Sequence, residues 1–476
     1  MPATSRSRRK GMHFTVIVRT LGVLFLLFST TLLPPIGVSW FYGDGELGHF
    51  LAVFGAALAM GSALWFPFAR SQSVIRRRDG FVIVALMWTA MSMIGSAPLM
   101  LALDIGFADA LFESASGFTT TGSTVIVGLD ELPPSLLLYR QETQWLGGIG
   151  VVVLAIALLP ILGIGGMQLY MAEMPGPFKD ERMSPRIART AKIICMVYVM
   201  LTGICAVSYW LAGMTPFDAI AHSLTTIATG GYSTHDASFA YFDSATIEAV
   251  AIAFMLVGGI SFSLHFVAWR TLQIDSYVRD SQVRAFLSII AVLIVFATAV
   301  LYLTGEKESV LAALRVAAFQ VVAVITSTGY GLEDFSLWPL ALPVLLIFSS
   351  FIGGCAGSSA GGIKVIRFVI LGKQSGVHIQ KLIHPQALRP IRVDGRVVPA
   401  AVVEGIWSFF MIYIAVFAVL MLLLMLDGMD QITAFGAVAT CLNNLGPGLG
   451  EVAANFVCVD GRHDAKDFKI TGPGSN

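Results

Sequence analysis

Thr326-Ser327-Thr328-Gly329-Tyr330 follows an apolar stretch that is too short to cross a bilayer and too apolar to be a free loop. Three more clusters carry glycine in the same column: Thr119-Thr120-Thr121-Gly122-Ser123, Ala228-Thr229-Gly230-Gly231-Tyr232 and Asn443-Asn444-Leu445-Gly446-Pro447. We name these clusters the glycine loops, first to fourth in chain order. They recur roughly every 100–120 residues, a longer period than solenoid repeats show. Each follows a short helix-like segment with an acidic or polar start, which indicates a helix–loop–helix unit duplicated within one chain.

The composition around these loops is that of a membrane protein. Of 476 residues, 56% are apolar and 13% charged, whereas a soluble domain carries roughly a quarter charged residues. Apolar runs of about 20 residues, the length that crosses about 30 Å of hydrocarbon, recur along the chain. They predict an all-α polytopic membrane protein with spans at 13–33, 47–69, 81–103, 139–163, 192–213, 246–269, 285–303, 338–371 and 398–426. The net charge is zero and no basic nucleic-acid patch is evident, so nucleic acid is not an expected partner.

Charge alternates between successive loops. Basic residues concentrate in every second one, at 70–78, 179–192, 270–284 and 373–396, while the intervening loops are mainly acidic. The positive-inside rule therefore places the N-terminus in the cytoplasm. No small-residue cleavage site is obvious near Pro34-Pro35, which favours a retained first helix over a signal peptide.

The glycine loops suit a cation. Irregular backbone is tolerated at membrane depth only where it is buried in protein or lines a water-filled cavity. Glycine lets the backbone turn its carbonyl oxygens toward such a cavity, where they can replace the hydration shell of a monovalent cation. The preceding short helices would aim their negative C-terminal ends at it, which disfavours an anion.

These residues resemble the Trk/Ktr/HKT superfamily, and in particular the Trk-type transmembrane subunit of bacterial potassium uptake. The resemblance runs from about residue 15 to residue 450. It is most evident in four stretches: Ser116–Gly122, Gln144–Gly150, Gly163–Tyr170 and Phe351–Ser359. Thr328-Gly329-Tyr330-Gly331 also differs by one residue type from the potassium-channel signature.

The resemblance implies two N-terminal helices followed by four pseudo-symmetric M1–pore loop–M2 repeats around one ion path, in a homodimer of the bacterial inner membrane. It implies no cofactor in this chain, potassium as substrate, and a cytoplasmic regulatory subunit that binds nucleotide and controls opening. The potassium-binding selectivity filter would consist of backbone carbonyls at Thr120, Thr121, Gly122, Gly230, Gly231, Thr328, Gly329, Asn444, Leu445 and Gly446.

The four-repeat pattern also sets the boundaries of each repeat. They divide the chain into an N-terminal segment 1–80, repeats at 81–191, 192–284, 285–396 and 397–450, and a tail 451–476. The family pattern predicts a final spanning helix after Gly450, yet the tail is polar apart from the short stretch 452–459. We therefore expect the fourth repeat to lack its M2 helix and the C-terminus to lie outside.

A glycine-rich segment, 353–362, lies within the predicted span 338–371. Five glycines and two serines in ten residues disfavour continuous helix. The favoured interpretation, which the resemblance supports, is an unwound intramembrane loop that gates the pore below the filter; the alternative is close helix packing through small residues. The candidate gate residues are Gly353, Gly354, Cys355, Ala356, Gly357, Ser358, Ser359, Gly361, Gly362 and Lys364. Lys364 could respond to gating or repel cations, or it could be a snorkelling lysine near a helix end.

Several ionisable residues lie near the glycine loops. Glu113 lies on the approach to the first glycine loop, and Asp109, Asp218 and Asp430 stand at comparable places in three repeats. Helix N-capping is favoured for them over a role in concentrating cations. His222 and His265 lie in apolar surroundings and are expected to be hydrogen-bonded core residues rather than proton relays.

Two other functions compete with cation uptake. A secondary transporter of another cation or a small solute, coupled to sodium or protons, would bind at broken helices, but it does not predict four aligned glycines. An intramembrane serine hydrolase would need Ser116 and His222 as a dyad, and no nucleophile elbow is present. We expect a transporter rather than an enzyme; channel-like conduction and symport both remain open.

The charge pattern yields a labelling prediction. In a chain whose native cysteines are replaced, a membrane-impermeant maleimide added to intact cells should label Glu131→Cys in an external loop and leave Arg77→Cys unlabelled. Modification at position 77 would contradict the predicted topology.

Overall fold

The computed structural model of the chain describes residues 14–70, 77–158, 184–385 and 390–452. The helices are α1 (Phe14–Thr31), α2 (Leu33–Tyr42), α3 (Leu47–Trp65), α4 (Arg77–Leu103), α5 (Phe107–Phe118), α6 (Pro134–Leu158), α7 (Ser184–Leu211), α8 (Pro216–Ala228), α9 (Ala245–Gly259), α10 (Phe262–Thr271), α11 (Asp275–Arg279), α12 (Ser281–Leu303), α13 (Val310–Ile325), α14 (Leu342–Ile352), α15 (Val365–Ile383), α16 (Ala400–Leu426) and α17 (Gln431–Asn443). Short 3₁₀ helices lie at Phe66–Phe68, Leu129–Glu131, Ser238–Phe242, Phe335–Leu337 and Gly450–Val452, and strands β1 (Arg392–Val393) and β2 (Arg396–Val397) form an antiparallel hairpin.

Long apolar helices confirm the prediction of an α-helical polytopic membrane protein. Among the described residues, six segments are long and apolar enough to span a bilayer: Ile17–Tyr42, Leu47–Phe68, Val82–Leu103, Thr190–Leu211, Ser281–Leu303 and Ala400–Leu426. The first continues past the predicted end at residue 33, because Pro34 and Pro35 lie in the first turn of α2, where proline is tolerated. The most apolar window of α16 has none of its residues buried within the chain, as expected of a helix that faces lipid.

Four short helices each lead into a glycine loop: α5, α8, α13 and α17. They have 12, 13, 16 and 13 residues, too few to cross about 30 Å at 1.5 Å per residue. Three have a side-chain N-cap, from Thr215, Ser309 and Asp430. Each of the four short helices therefore ends in an irregular loop before it is long enough to span a bilayer.

The N-cap hypothesis for the aspartates is correct for one of three. Asp430 accepts hydrogen bonds from the amides of Ile432 and Thr433. Asp218 lies within the first turn of α8 instead, because Thr215 already occupies the N-cap position and accepts from the Asp218 amide. Asp109 lies in the first turn of α5, which has no side-chain cap.

The predicted span 246–269 is interrupted near its middle. α9 and α10 are bent by 99° at a break around Ile260. The span 338–371 is likewise interrupted, since α14 ends at Ile352 and α15 begins at Val365. The two breaks face each other: the Cys355 amide donates to the Gly259 carbonyl at 2.8 Å, and the Phe262 amide donates to the Gly357 carbonyl at 3.1 Å. Each break thus satisfies backbone groups that the other leaves without helical partners.

Some predictions concern other parts of the chain. The stretch Gly163–Tyr170, the basic loop 179–192 up to residue 183, and the tail 453–476 lie outside the described residues. The expectation that the fourth repeat lacks its M2 helix therefore remains a prediction.

Candidate cation site at the glycine loops

The four glycine loops end their helices with the same hydrogen bond. In each, the amide of the residue before the aligned glycine donates to the carbonyl five residues earlier, a Schellman-like closure of the helix C-terminus. The pairs are Thr121 to Ser116 at 2.8 Å, Gly230 to Thr225 at 2.9 Å, Thr328 to Ala323 at 2.8 Å and Leu445 to Thr440 at 2.9 Å. Four sequences with few residues in common therefore adopt one local conformation.

Each loop also has two left-handed residues. The aligned glycines Gly122, Gly231, Gly329 and Gly446 have φ between 78° and 94°. Two positions earlier, non-glycine residues also have positive φ: Thr120 at 61°, Thr229 at 51°, Ser327 at 53° and Asn444 at 63°. Such a conformation is uncommon for threonine and costs on the order of 1–3 kcal/mol. In three loops the hydroxyl of this residue offsets part of that cost, because it donates a hydrogen bond to the carbonyl of the preceding residue at 2.6–2.7 Å.

The glycines join the loops into a closed ring. A Cβ on each aligned glycine would strike the carbonyl oxygen of the residue before the aligned glycine in the next loop, and the fourth loop returns to the first. The contacts run from Gly122 to Gly230, from Gly231 to Thr328, from Gly329 to Leu445 and, at 2.9 Å, from Gly446 to Thr121. The four loops therefore surround one centre, and glycine is required because the neighbouring backbone fills the Cβ space.

Side chains link neighbouring loops as well. Asn444 donates from Nδ2 to the carbonyls of Thr119 at 2.7 Å and Thr120 at 3.0 Å, which connects the fourth loop to the first. The buried Tyr330 hydroxyl bonds to Thr226 at 2.9 Å and so connects the third loop to the helix before the second.

A buried ion pair lies behind the first and second loops. Arg140 donates from Nε to Glu113 at 2.9 Å, and both side chains are 1% exposed. The other Glu113 oxygen accepts from Thr124 at 2.8 Å and from the Val125 amide at 3.1 Å. The Arg140 guanidinium also lies 4.4 Å from the ring centroid of Tyr232. This pair fixes the backbone that leaves both loops.

The glycine-rich segment lies against three of the four loop regions among the described residues. Its contacts are Ser359 Oγ to the Ile227 carbonyl at 2.9 Å, the Gly361 amide to Ser327 Oγ, and the Gly362 amide to the Asn443 carbonyl at 2.9 Å. Lys364 donates to the Ala360 carbonyl at 2.8 Å, within the segment itself. The segment is thus attached to the ends of the helices that carry the loops.

His222 and His265 are hydrogen-bonded at both ring nitrogens, which confirms their interpretation as hydrogen-bonded core residues. His222 contacts the Asp218 carbonyl at 2.9 Å and Ser233 at 3.0 Å. His265 contacts Tyr277 at 2.8 Å and the Val257 carbonyl at 2.9 Å.

The postulated dyad with Ser116 is not formed. The Ser116 hydroxyl donates to the Ser123 carbonyl at 2.6 Å and so serves the first loop, while both nitrogens of His222 have other partners.

A second charged cluster lies beside the second loop. His235 bonds to Asp130 through Nδ1, and its Nε2 lies 3.5 Å from Asp218. Burial lowers the pKa of His235, but the attraction of the Asp218 and Asp130 carboxylates outweighs burial and leaves the pKa raised. The cluster links the 3₁₀ helix Leu129–Glu131, which follows the first loop, to the first turn of α8.

Comparison with known proteins shows to which family this chain belongs. The sequence profile of TrkH, described as a cation transport protein, matches residues 48–460. The chain belongs to the TrkH family. It is 50% identical over 449 residues to the Trk system potassium uptake protein TrkH of Vibrio parahaemolyticus, covering 94% of this chain and 93% of that protein. It is 47% identical over 451 residues to TrkH of Escherichia coli K12, with the same coverage.

A solved TrkH structure agrees with the fold. The crystal structure of the potassium transporter TrkH from Vibrio parahaemolyticus superposes with a TM-score of 0.87 at 47% identity, covering 94% of this chain and 93% of that chain. Membership of this transport family confirms the resemblance and the prediction of a transporter rather than an enzyme.

Several residues of the site were not among the predicted ones. Thr229 and Ser327 share the left-handed position of Thr120 and Asn444, and alignment of that column would have identified them. The Glu113–Arg140 pair joins residues 27 positions apart, and no local sequence pattern predicts it.

The buried pair yields a stability prediction. Arg140→Met should destabilise the purified protein by about 3–5 kcal/mol, because the Glu113 carboxylate stays buried without its cation. Glu113→Gln combined with Arg140→Met should lose less, since no charge remains. Thermal unfolding in detergent measures both.

Arg315→Met is the matched control for this comparison. Arg315 also pairs with a buried glutamate, Glu248 at 2.6 Å, but its side chain is 40% exposed, so a smaller loss is expected. A double variant that unfolds at or below the temperature of Arg140→Met would refute the role given to the buried charge.

Proposed function

We propose that this chain takes up potassium across the bacterial inner membrane through a selectivity filter built from the four glycine loops. The observation that supports it most is the closed ring of glycine-to-carbonyl contacts. The proposed ligands are the backbone carbonyls of the predicted filter residues: Thr120, Thr121, Gly122, Gly230, Gly231, Thr328, Gly329, Asn444, Leu445 and Gly446. The names of the relatives, Trk system potassium uptake proteins, support potassium as the ion.

The chemistry of the loops favours a monovalent cation. None of the four clusters contains Asp, Glu, Lys, Arg or His, so their neutral oxygens would replace hydration without binding a divalent ion tightly. The four short helices end at the loops, and each helix C-terminus adds about half a negative charge to the centre.

The glycine-rich segment is the proposed gate. The segment has no helix between Ile352 and Val365, and hydrogen bonds attach it to three loop regions. Movement of the segment would therefore displace the ring. Lys364, at its end, donates hydrogen bonds to the Ser358 and Ala360 carbonyls of the segment. This arrangement supports a gate below the filter more than simple helix packing through small residues.

The remaining parts of the proposal come from the family. We place the N-terminus in the cytoplasm, the protein in a homodimer, and a nucleotide-binding regulatory subunit on its cytoplasmic side. The words "Trk system" in the names of the relatives support a multi-component system.

Gly329→Ser tests the filter. The new Cβ would strike the Leu445 carbonyl and lie 2.8 Å from Pro447, at a φ of 78° that side chains rarely adopt. Strain of about 1–3 kcal/mol should lower the preference for potassium over sodium roughly 5- to 100-fold. The assay is rubidium uptake against competing sodium, in cells that lack other uptake systems.

Gly43→Ser is the matched control. Gly43 has a φ of 65° but no atom within 4 Å of its Cβ position, so it carries the strain without the collision. Unchanged ion preference in Gly329→Ser at normal expression would remove the filter assignment.

Gly353→Ala and Gly362→Ala test the gate. Both residues have positive φ, 68° and 74°, and an added Cβ would collide with the backbone of the segment. A cost of about 1–2 kcal/mol should release the segment and raise potassium flux without the regulatory subunit by roughly fivefold or more, at unchanged ion preference. Gly372→Ala, with nothing near its Cβ position, is the control. Altered selectivity at an unchanged rate would reassign the segment to the filter.

A further inference from the structure

Gln144 spans the aligned glycine of the second loop with both ends of its side-chain amide. Its Nε2 donates to the Gly230 carbonyl at 2.7 Å, and its Oε1 accepts from the Tyr232 amide at 3.0 Å. The side chain is 0% exposed and comes from α6, the helix after the first loop. Only one orientation of the amide makes both bonds, so the carbonyl before Gly231 and the amide after it are held together.

The Gln144 amide occupies space that a side chain fills in the other loops. The residues that precede the aligned glycine are Thr121, Gly230, Thr328 and Leu445. A Cβ at Gly230 would lie 2.5 Å from Gln144 Cδ, although the φ of Gly230 is outside the left-handed region. The position could therefore hold an ordinary residue if Gln144 were absent.

The other loops have anchors of their own at this position. Thr121 donates to Asn444 Oδ1 at 2.6 Å, and Thr328 bonds to Thr326 at 2.7 Å. Leu445 is fully buried. Gly230 alone has no side chain with which to fix its peptide plane, and it precedes a second glycine.

The corresponding helix of the second repeat shows the alternative arrangement. Gly147 and Gly258 both pack against the carbonyl four residues before the aligned glycine of their own loops, which makes them corresponding positions. Three residues earlier stand Gln144 and Met255, respectively. The loop after Met255 has Thr328 with its own anchor, so an apolar side chain suffices there.

We propose that Gln144 is a specificity-determining positioning residue, which substitutes for the missing side chain at Gly230 and holds the Gly230 carbonyl in the ring. This inference rests on the proposed function of the glycine loops as a filter. It predicts that the second loop, unlike the others, depends on a residue of the preceding repeat for its ion selectivity.

The test measures rubidium uptake against competing sodium in the full chain with its regulatory subunit. Gln144→Met keeps the volume of the side chain and removes both hydrogen bonds, so the preference for potassium should fall roughly 3- to 30-fold. Gly230→Ser alone should also lower it, because its Cβ collides with Gln144. Gln144→Ala combined with Gly230→Ser should recover part of the preference lost by either single change, since the serine then occupies the freed space.

Gln141→Ala is the control for loss of a buried glutamine on α6. Its side chain is 0% exposed, and its polar atoms bond to none of the described residues. Two results would overturn the inference, provided that Gly329→Ser still alters selectivity. One is a preference for potassium over sodium in Gln144→Met that equals the preference in Gln141→Ala. The other is a double variant whose preference is no higher than that of either single variant. If Gly329→Ser has no effect either, the filter proposal itself fails.

Discussion

The contact between each aligned glycine and the carbonyl of the next loop holds the four loops together as one ring. Four such contacts close on themselves, so a side chain at any of the four glycines would collide with the next loop. A single methyl group at Gly122, Gly231 or Gly329 would overlap backbone rather than a mobile side chain. Close packing of backbone on backbone leaves the ring little room to adapt.

The ring has a common backbone but unlike supports. The first loop is held by the Glu113–Arg140 pair, the second by Gln144, the third through Tyr330 and the fourth through Asn444. Each support uses a different chemistry: a buried charge pair, an amide bridge, a phenol and an asparagine. Because the four loops lie in one chain, each can have its own support, which four identical subunits could not provide.

The sequence was informative where a local rule applied. The glycine column, the short helices and the long apolar spans follow from period, length and conformational freedom, and the structure has them. The break between α9 and α10 was missed because Gly258-Gly259-Ile260-Ser261 is apolar enough to continue a predicted span. A hydropathy profile cannot show that the glycine-rich segment, roughly a hundred residues further along the chain, supplies hydrogen bonds to the backbone at this break. The supports of the ring were missed for the same reason, since Thr121 and Asn444 are 323 residues apart.

In the proposed filter, the four glycine loops bind a dehydrated monovalent cation at the centre of their ring. The most direct measurement is an anomalous difference map from crystals of the protein grown with rubidium or thallium(I). If the ring is the filter, an anomalous peak is expected on its axis, within coordination distance of carbonyl oxygens from all four loops. Anomalous peaks elsewhere in the protein, with none inside the ring at saturating ion, would contradict it.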